Sequence, residues 1–424
     1  MKLLVLGSDF GTIDLVNEAH KEGDYVVVAD YYKTTSTKML ADECWDISTR
    51  DIDLVVEKAK SAKIEAICVG ASDGNVEAYR KIAKGLGLPF YCKNDSAWNL
   101  TRNKREFKDL CAKIGAPIAT DYFVNDGATD EELDNIVFPV VVKAVDLSAN
   151  VGFSYCDNKE ELKSAIEKVH IYSKNPTFIV ERRLYGPEFV ANYILADGEI
   201  VLNHFCAEHH EPGYPANLYS IINSTNYLLS QYIEELNDKV IELFKRAGFT
   251  DGIAWVECMR DTDGHFYLIE PGYRFCGEVT HMAYGHLIDF NPAKWMLDIA
   301  KGIKHTKDDL PAPLQVGQLG SSVSYHLFGS QDGVVAEILG LDAIAKIPEV
   351  VIDLPHRVGY NMRKFKNMGV VRFPCFSKKE LIDNISLINS NLQVLDENGD
   401  NLFVKYTNID EIIEQYEKGL QMSI

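Results

Sequence analysis

Short apolar runs of strand length alternate with amphipathic stretches of helix length along the first 95 residues of the chain. The run Leu3–Leu6 predicts a strand, and Tyr25–Ala29 predicts the next strand after an intervening helix. A helix–strand–helix unit over 51–86 follows, with its strand at Ala66–Val69, and Leu88-Pro89-Phe90 predicts the start of another short strand. This order is typical of a doubly wound parallel sheet.

Two turns lie at the predicted carboxyl ends of these strands, Gly7–Gly11 and Gly70–Asp73. Open α/β sheets bind ligands at such ends, so both turns are candidates for a small-molecule site, although ordinary tight turns explain them equally well. Because Gly7 and Gly11 lack the third glycine of the dinucleotide fingerprint, a dinucleotide site is disfavoured.

A different pattern, with apolar strands between helices, begins at residue 96. Ser96–Gly115 predicts one helix, with Asn103 and Lys104 early in it, that ends at a glycine. The strand Phe138–Ala144 then carries Lys143 at its end and leads into the small polar loop 146–152. A strand-end lysine beside backbone N–H donors is what a phosphate site needs, and a flexible loop can close over phosphates. A strand-end lysine in solvent is the alternative.

Two further features carry acidic residues. The strand Thr177–Glu181 ends in an acid and is followed by Arg182-Arg183-Leu184-Tyr185-Gly186-Pro187-Glu188. Downstream, two β-rich runs flank Asp261-Thr262-Asp263-Gly264 and predict a hairpin.

The hairpin register predicts a pair of converging carboxylates. If Asp261 pairs with Gly264, Glu257 falls opposite Leu268, and Glu257, Leu268 and Glu270 share one face. Buried carboxylates need a counter-charge, and Mg²⁺ is a natural one, with Arg274 close in sequence. An acidic strand face in water explains the hairpin alone equally well.

Composition narrows the classes of partner. The chain has 43 basic and 63 acidic side chains and a formal charge of −20, which argues against nucleic acid and anionic membranes but not against ATP in a local basic pocket. The nine cysteines form no Cys-x-x-Cys pair, as expected for reduced thiols. Neither a signal peptide nor a membrane-length apolar run is recognised, so a cytoplasmic protein is expected.

The order of these motifs resembles the ATP-grasp superfamily of ligases, of the carboxylate–amine or amino-acid ligase type, with a carbamoyl-phosphate-synthase-like ATP-binding domain. The resemblance covers roughly residues 1–310. It implies a mixed α/β and α+β chain: a doubly wound pre-ATP-grasp domain at 1–95, and an ATP-grasp fold of two α+β subdomains at 96–310 with its lid at about 120–182. Residues 311–424 resemble, more weakly, the additional α+β C-terminal domain of amino-acid-ligase-type members.

The resemblance also implies a role for particular residues. Lys104 and Lys143 would contact the ATP phosphates, and residues 148–152, including Ser148 and Gly152, would form the closing loop. Glu181 would accept from the adenine amino group, the backbone of Arg182–Leu184 would line the base, and Glu188 would bind the ribose. The remaining roles are metal binding and catalysis: Glu257 and Glu270 for one or two Mg²⁺ ions, with Mn²⁺ as an alternative, and Arg274 and Lys143 for the transferred phosphoryl group.

The chain departs from the family pattern at one position. Many members have Glu-x-Asn-Pro-Arg, in which the Asn is a further metal ligand, whereas this chain reads Glu270-Pro271-Gly272-Tyr273-Arg274. Gly272 therefore leaves open whether one or two metal ions bind, although water or a phosphate oxygen can fill the position.

The acceptor site is predicted from the segment His204–Tyr214. Glu208, His209 and His210 are interpreted as substrate contacts, with a polar surface loop as the alternative, because the spacing matches no standard zinc motif. Glu278, after the Arg274 loop, is a further candidate for the substrate pocket.

The implied activity is an ATP- and Mg²⁺-dependent carboxylate–amine ligase that forms an amide-type bond through an acyl-phosphate, with an amino acid as a substrate. Purine-biosynthesis and carbamoyl-phosphate-type ligases of the same fold are alternatives, as is a nucleotide-binding module without turnover. The expected partners are a small-molecule carboxylate and amine, and a homodimer is possible.

Overall fold

The computed structural model describes residues 1–146, 152–173, 175, 177–214, 219–317, 320–354 and 358–421. None of the helices in these ranges combines the length and the hydropathy that a membrane span requires. The described strands form one large sheet and four smaller ones.

The N-terminal unit is a four-stranded parallel sheet with the order β3-β2-β1-β4. The strands β1, β2 and β4 are largely apolar and buried, as parallel strands usually are, whereas the edge strand β3 buries only Trp45. The predicted parallel sheet is therefore confirmed. Its elements are β1 (Lys2–Leu6), α1 (Thr12–Lys21), β2 (Tyr25–Ala29), α2 (Ser36–Leu40), β3 (Glu43–Trp45), α3 (Ile52–Ser61), β4 (Ala66–Val69) and α4 (Asp73–Leu86).

The predicted strand at Leu88-Pro89-Phe90 is absent. Gly87 is left-handed and Leu88 N donates to Ala83 O, so these residues complete the C-terminal cap of α4. The predicted helix over Ser96–Gly115 is two helices, α5 (Asp95–Arg102) and α6 (Lys104–Ile114). Asn103 separates them because its extended backbone ends α5 while its side chain accepts from the first amides of α6.

A three-stranded antiparallel sheet, β6-β5-β7, forms a separate layer with a hydrophobic core of its own. It lies within the predicted lid, and the predicted strand Thr120–Val124 contributes only an isolated bridge from Asp121 to Glu181. This layer therefore has an apolar core separate from that of the central sheet. The elements are α7 (Asp130–Leu133), β5 (Val140–Ala144), β6 (Phe153–Cys156), α8 (Lys159–Tyr172) and β7 (Phe178–Arg182).

The central sheet has eight strands in the order β12-β11-β8-β9-β10-β13-β18-β16. The predicted loop around His204–Tyr214 is in fact the end of β9, which continues to His210 in register with β10. Up to residue 310 its elements are β8 (Glu188–Ala196), β9 (Glu199–His210), β10 (Tyr219–Ser224), α9 (Leu229–Tyr232), a π-helical turn (Ile233–Asn237), α10 (Asp238–Ala247), β11 (Gly252–Arg260), β12 (Phe266–Gly272), α11 (Thr280–Ile288), α12 (Pro292–Ala300) and a 3₁₀ turn (Lys307–Asp309).

The residues beyond 311 extend this central sheet and add a second apolar core. They also contact the N-terminal unit, since Arg372 pairs with Asp14 and Ser36 Oγ donates to Asp353 at 2.9 Å. The elements are β13 (Ser321–Phe328), β14 (Gly333–Val334), β15 (Glu337–Leu339), α13 (Leu341–Ile344), β16 (Val351–Asp353), β17 (Asn361–Met362), β18 (Asn367–Cys375), α14 (Lys378–Asn391), β19 (Gln393–Leu395) and α15 (Ile409–Gln421).

The register of the β11–β12 hairpin differs from the prediction. Asp261 N donates to His265 O, so Gly264, with φ of 89°, adds a left-handed residue to the turn. A bulge after Glu257 then shifts the pairing again. Together the two shifts place Glu257 directly opposite Glu270 and turn Leu268 to the other face, into the core.

Candidate active site

A cavity of about 450 Å³ lies between the three-stranded sheet, the central sheet and the turn before α4. Three structural layers therefore contribute side chains to one cavity. Most of the predicted site residues meet here: Lys104, Lys143, Glu181, Arg182, Leu184, Glu188, Glu208, Glu257, Glu270, Arg274 and Glu278.

One wall is a buried ion-pair triad. Lys143 on β5 lies diagonally across from Glu181 on β7, and their Nζ and Oε1 atoms are 2.5 Å apart. Lys108 on α6 pairs with the other carboxylate oxygen and also donates to Ala119 O at 3.2 Å. Burial alone would raise the pKa of Glu181, but the two ammonium groups lower it to about 2. This carboxylate therefore stays ionised and holds Lys143 toward the cavity.

Lys104 approaches the same cavity from the start of α6. Its backbone N donates to Val145 O at the end of β5, and Nζ lies 3.3 Å from Glu270 Oε2. The helix begins there because Asn103 caps it, so the cap also fixes the position of the lysine.

The two hairpin carboxylates form the acidic counterpart of these lysines. Glu257 and Glu270 are directly opposed on β11 and β12, where Cβ atoms of paired residues are about 5 Å apart. Burial, and then the charge of Glu270, raise the pKa of Glu257 well above its usual value. An opposed carboxylate pair that resists double ionisation suits a divalent cation with oxygen ligands, so the donor set fits Mg²⁺.

The position of the missing asparagine is filled by an aromatic ring. Gly272 lies opposite Trp255, and a Cβ on Gly272 would come within 2.0 Å of the Trp255 ring. The indole is almost fully buried, and the Arg274 guanidinium carbon lies 4.9 Å from its ring centroid. Glycine is therefore required at 272 by packing, and the residue at this position supplies no side-chain ligand.

Arg274 is held by a residue that the sequence analysis did not assign. Asp73, at the start of α4, accepts from Arg274 Nε at 2.6 Å and from Arg102 Nη1 at 2.8 Å. Burial would raise the pKa of Asp73, but the two guanidinium groups lower it. The only sequence signal was the turn Gly70–Asp73 at a strand end. The N-terminal unit thus contributes directly to the site.

Comparison with known proteins identifies this arrangement. Residues 136–281 match the family model described as an ATP-grasp domain. The chain carries an ATP-grasp domain. The predicted family resemblance is thereby confirmed, and the matched residues include strands of both sheets around the cavity.

Solved structures support the same fold over most of the chain. L-amino acid ligase from Bacillus licheniformis matches with a TM-score of 0.74 and 18% identity, over 94% of this chain and 99% of that one. Phosphoribosylglycinamide synthetase from Anaerococcus prevotii gives 0.71 and 18%, over 93% and 99%. Biotin carboxylase from Campylobacter jejuni gives 0.74 and 15%, over 100% and 94%. At these identities the likeness concerns the fold, and the predicted fold class is confirmed.

Asp261 anchors the segment between β7 and β8, which joins the three-stranded sheet to the central sheet. Its carboxylate accepts from Arg182 Nη1 at 2.5 Å and from the Tyr185 backbone N at 2.8 Å. Leu184 lines the cavity between these contacts. Of the predicted closing loop, Gly152 is buried and left-handed, and its carbonyl accepts from Ala144 N, whereas Ser148 lies outside the described residues.

The acidic residues of β8 and β9 face the cavity by strand alternation. The register places Glu188 opposite Glu208, and burial followed by the charge of Glu188 raises the pKa of Glu208 well above its usual value. His210 follows on the same face and brings a ring nitrogen within 4.8 Å of both carboxylates. His209 points the other way, to Glu411 Oε1 at 3.1 Å and Asn223 Oδ1 at 2.6 Å, so it does not contribute to the cavity.

Glu278 belongs to a buried polar cluster at the closed end of the cavity. Oε1 accepts from Asn192 Nδ2 at 3.0 Å, and the same amide lies 3.2 Å from His204 Nδ1. Burial would raise the pKa of Glu278, but His281, His204 and Asn192 lower it to about 2. Burial lowers the pKa of His204 to about 3. Glu278 is therefore an ionised carboxylate inside the protein, with His281 as its ion-pair partner at 3.5 Å.

Proposed function

We propose that this protein is an ATP-dependent ligase that activates a carboxylate as an acyl-phosphate and transfers the acyl group to an amine. The observation that carries the proposal is the meeting of Lys104, Lys143, Arg274 and the Glu257–Glu270 pair at one cavity of an ATP-grasp domain. No serine or cysteine nucleophile is needed, because the attacking groups belong to the substrates.

The nucleotide would lie between the two sheets. Lys143 and Lys104 would neutralise phosphate oxygens, and Glu181, fixed by Lys108, would accept from the adenine amino group beside Leu184. Glu188, at the start of β8, would accept from ribose hydroxyls. Glu257 and Glu270 would hold Mg²⁺, which when bound supplies neutralisation of phosphate charge.

The chemistry would proceed in two transfers. A carboxylate oxygen attacks the γ-phosphorus, the bond from that phosphorus to the β–γ bridging oxygen breaks, and ADP leaves. The amine nitrogen then attacks the acyl carbon, a C–N bond forms, inorganic phosphate leaves and the amine gives up a proton. Arg274, oriented by Asp73 and the Trp255 ring, would stabilise the transferring phosphoryl group.

An amino acid is our preferred substrate class within this reaction. The fold resemblance to an L-amino acid ligase permits it, and the resemblance to a phosphoribosylglycinamide synthetase keeps a purine-type ligase as the alternative. The acidic side chains Glu208 and Glu278 in the cavity lining favour the amino acid.

The test is phosphate release from Mg-ATP across a matrix of amino acids and small carboxylates, each with a set of amines. We expect release that depends on one acid–amine combination. Glu270→Gln should lower that rate by about 1,000-fold while ATP still binds, because the lost carboxylate acts mainly on the transition state.

Glu199→Gln is the matched control, since Glu199 is an exposed strand residue paired with Lys245. Unchanged turnover in Glu270→Gln would refute the metal assignment. ATP binding without phosphate release under any combination would favour a nucleotide-binding module without turnover.

A further inference from the structure

We propose that Glu208 and Glu278 form a subsite for the ammonium group of the acid that is phosphorylated, so that this acid is itself an amino acid with a free amino group. The inference rests on the proposed function and names the substrate of its first step. The amino acid would lie with its carboxylate toward Arg274 and its ammonium toward the closed end.

The first observation is the uneven distribution of charge in the cavity. Each basic side chain of the phosphate end already has an acidic partner: Lys104 with Glu270, Lys143 with Glu181, and Arg274 with Asp73. Among the described residues, neither Glu208 nor Glu278 forms an ion pair with a lysine or arginine. The ion-pair partner of Glu278 is His281, at 3.5 Å, so Glu208 and Glu278 are two acidic groups that no described lysine or arginine neutralises and that a bound cation can match.

The second observation is an unused acceptor inside the protein. Glu278 is 2% exposed, and its Oε2 accepts no hydrogen bond from any described residue. His281 Nδ1 forms an ion pair with Oε2 at 3.5 Å, but the geometry of this contact is not that of a hydrogen bond. Buried acceptors normally accept a hydrogen bond, so Oε2 is available to accept one from a bound ligand.

An ammonium group fits these acceptors better than other cations do. It offers three donors and no acceptor, whereas the groups that face it are carboxylates. A metal ion is a weaker fit, although His204, Cys206 and Glu278 bring potential ligand atoms within 4.8 Å of one another. The Asn192 amide already lies between His204 Nδ1 and Glu278 Oε1 and occupies that position.

The side chains around Glu278 also disfavour an acid substrate that already carries a phosphate group before the reaction. The arginines that line the cavity besides Arg274 are Arg182 and Arg183, and both lie in the segment that joins the two sheets, beside Asp261 and Tyr155. The floor next to Glu278 is apolar instead and can contact an aliphatic or aromatic side chain. Tyr219, Trp255 and Cys276 line the cavity, and they pack in one apolar cluster with Val190, Cys206 and Ile222 behind them.

The experiment compares each amino acid with its desamino analogue, for example phenylalanine with 3-phenylpropionate and leucine with 4-methylvalerate. Hydroxylamine replaces the unknown amine: its nitrogen attacks the acyl carbon of the acyl-phosphate, phosphate leaves, and a hydroxamate forms. We expect wild type to prefer the amino acid by about 10- to 100-fold in kcat/KM, as for a charge-assisted contact. In Glu278→Gln the preference should fall to within about threefold.

Two further variants control the result. Glu208→Gln should reduce the same preference, which keeps the test valid if Glu278→Gln folds poorly. Glu211→Gln is a buried control outside the cavity, because its carboxylate contacts Thr407 instead, and it should retain the preference. Full preference in both Glu208→Gln and Glu278→Gln, or equal use of acid and amino acid by wild type, would overturn the subsite.

A binding measurement separates this inference from the ligase proposal. The thermal shift that each free amino acid causes in protein saturated with ADP and Mg²⁺ needs no turnover. A shift specific for amino acids that disappears in Glu278→Gln supports the subsite even if no hydroxamate forms, in which case the ligase chemistry fails alone. Equal shifts from amino acids and desamino acids, or none from any amino acid, would overturn it.

Discussion

Glu181 and Glu208 are two buried carboxylates of the same cavity, and their pKa values are shifted in opposite directions. At the phosphate end Glu181 and Asp73 each lie between two cations, and burial is outweighed so that the pKa of both is lowered. Toward the closed end Glu208 faces Glu188 instead, and its pKa is raised. The difference teaches that lysine and arginine side chains neutralise Glu181 and Asp73, whereas a proton or a bound cation is needed to relieve the repulsion between Glu208 and Glu188.

Among the variants that test this comparison, Lys143→Met should cause the largest loss of activity. The change removes a cation that faces the cavity but leaves Lys108 with Glu181, so the fold should survive. We expect kcat/KM for ATP to fall by about 100- to 1,000-fold, as for the loss of one partner from a buried charge set. Lys163→Met, on the outer face of the same layer and paired with Asp130, should behave as wild type in the same steady-state assay.

The pH dependence of the unfolding free energy tests whether Glu181 is stabilised as a carboxylate by Lys108 and Lys143. Because the folded-state pKa of Glu181 is about 2 instead of 4.5, its ionised form stabilises the fold above the unfolded pKa, and this is lost as pH falls through about 2. The shift corresponds to about 3 kcal/mol. Urea unfolding of wild type and Glu181→Gln should differ by a constant amount above pH 5, and the difference should shrink below that. A difference that grows on acidification would contradict the assignment.

Asp73→Asn tests whether the N-terminal unit orients the catalytic arginine. We expect kcat to fall about 10- to 100-fold through misplacement of Arg274, with ATP affinity nearly unchanged. The measurement is a kcat and KM pair together with nucleotide titration. Asp95→Asn, which breaks the exposed pair with Arg80 in the same part of the chain, serves as control and should leave kcat at the wild-type value.

Gly272→Ala tests the packing of Gly272 against the Trp255 ring. The new Cβ would overlap the Trp255 ring, so unfolding free energy should drop by about 1–3 kcal/mol, as for overpacking. Chemical denaturation measures it. Gly277→Ala is the matched control, because a Cβ there meets nothing within 4 Å. Equal stability of the two variants would show that the ring can move aside.

Glu208→Gln should have the smallest effect, and its sign should be opposite to that at Glu181. A carboxyl whose folded pKa is raised binds its proton more tightly in the folded state, so wild type loses stability as pH rises above the usual range. The variant lacks this loss, and near pH 8 it should be as stable as wild type or more so. Thermal unfolding from pH 5 to 8 gives the comparison, and a parallel decline of both proteins would contradict it.

The sequence carried much of the fold because its strands are short apolar runs with clear boundaries. Tyr25–Ala29, Ala66–Val69 and Phe153–Cys156 have the observed bounds. The prediction placed Glu257 and Glu270 on one face, but the predicted pairing of residues in the hairpin was wrong. The bulge after Glu257 and the left-handed Gly264 each shift the register, and the local sequence does not reveal either of them. Asn103 ended one helix through its capping role, which periodicity alone does not report.

Long-range contacts explain the rest. Asp73 and Arg274 are about 200 positions apart in the chain, and no spacing rule joins them. His209 looked equivalent to its neighbours as part of a loop, and only its place in β9 turns it away from Glu208 and His210. Glu278 was identified from its position after Arg274, whereas its partners His204 and Asn192 come from two other strands.

The Trp255–Gly272 contact bears on how such a site can change over generations. An asparagine at 272 has no room while the indole is present, and loss of the indole alone leaves a cavity under Arg274. Each single replacement is therefore unfavourable by itself. The two replacements together would substitute an asparagine metal ligand for the packed tryptophan ring. In related proteins, tryptophan at the position of Trp255 should occur with glycine at that of Gly272, and asparagine at the second position should occur with a smaller residue at the first. The two positions should therefore change together in evolution.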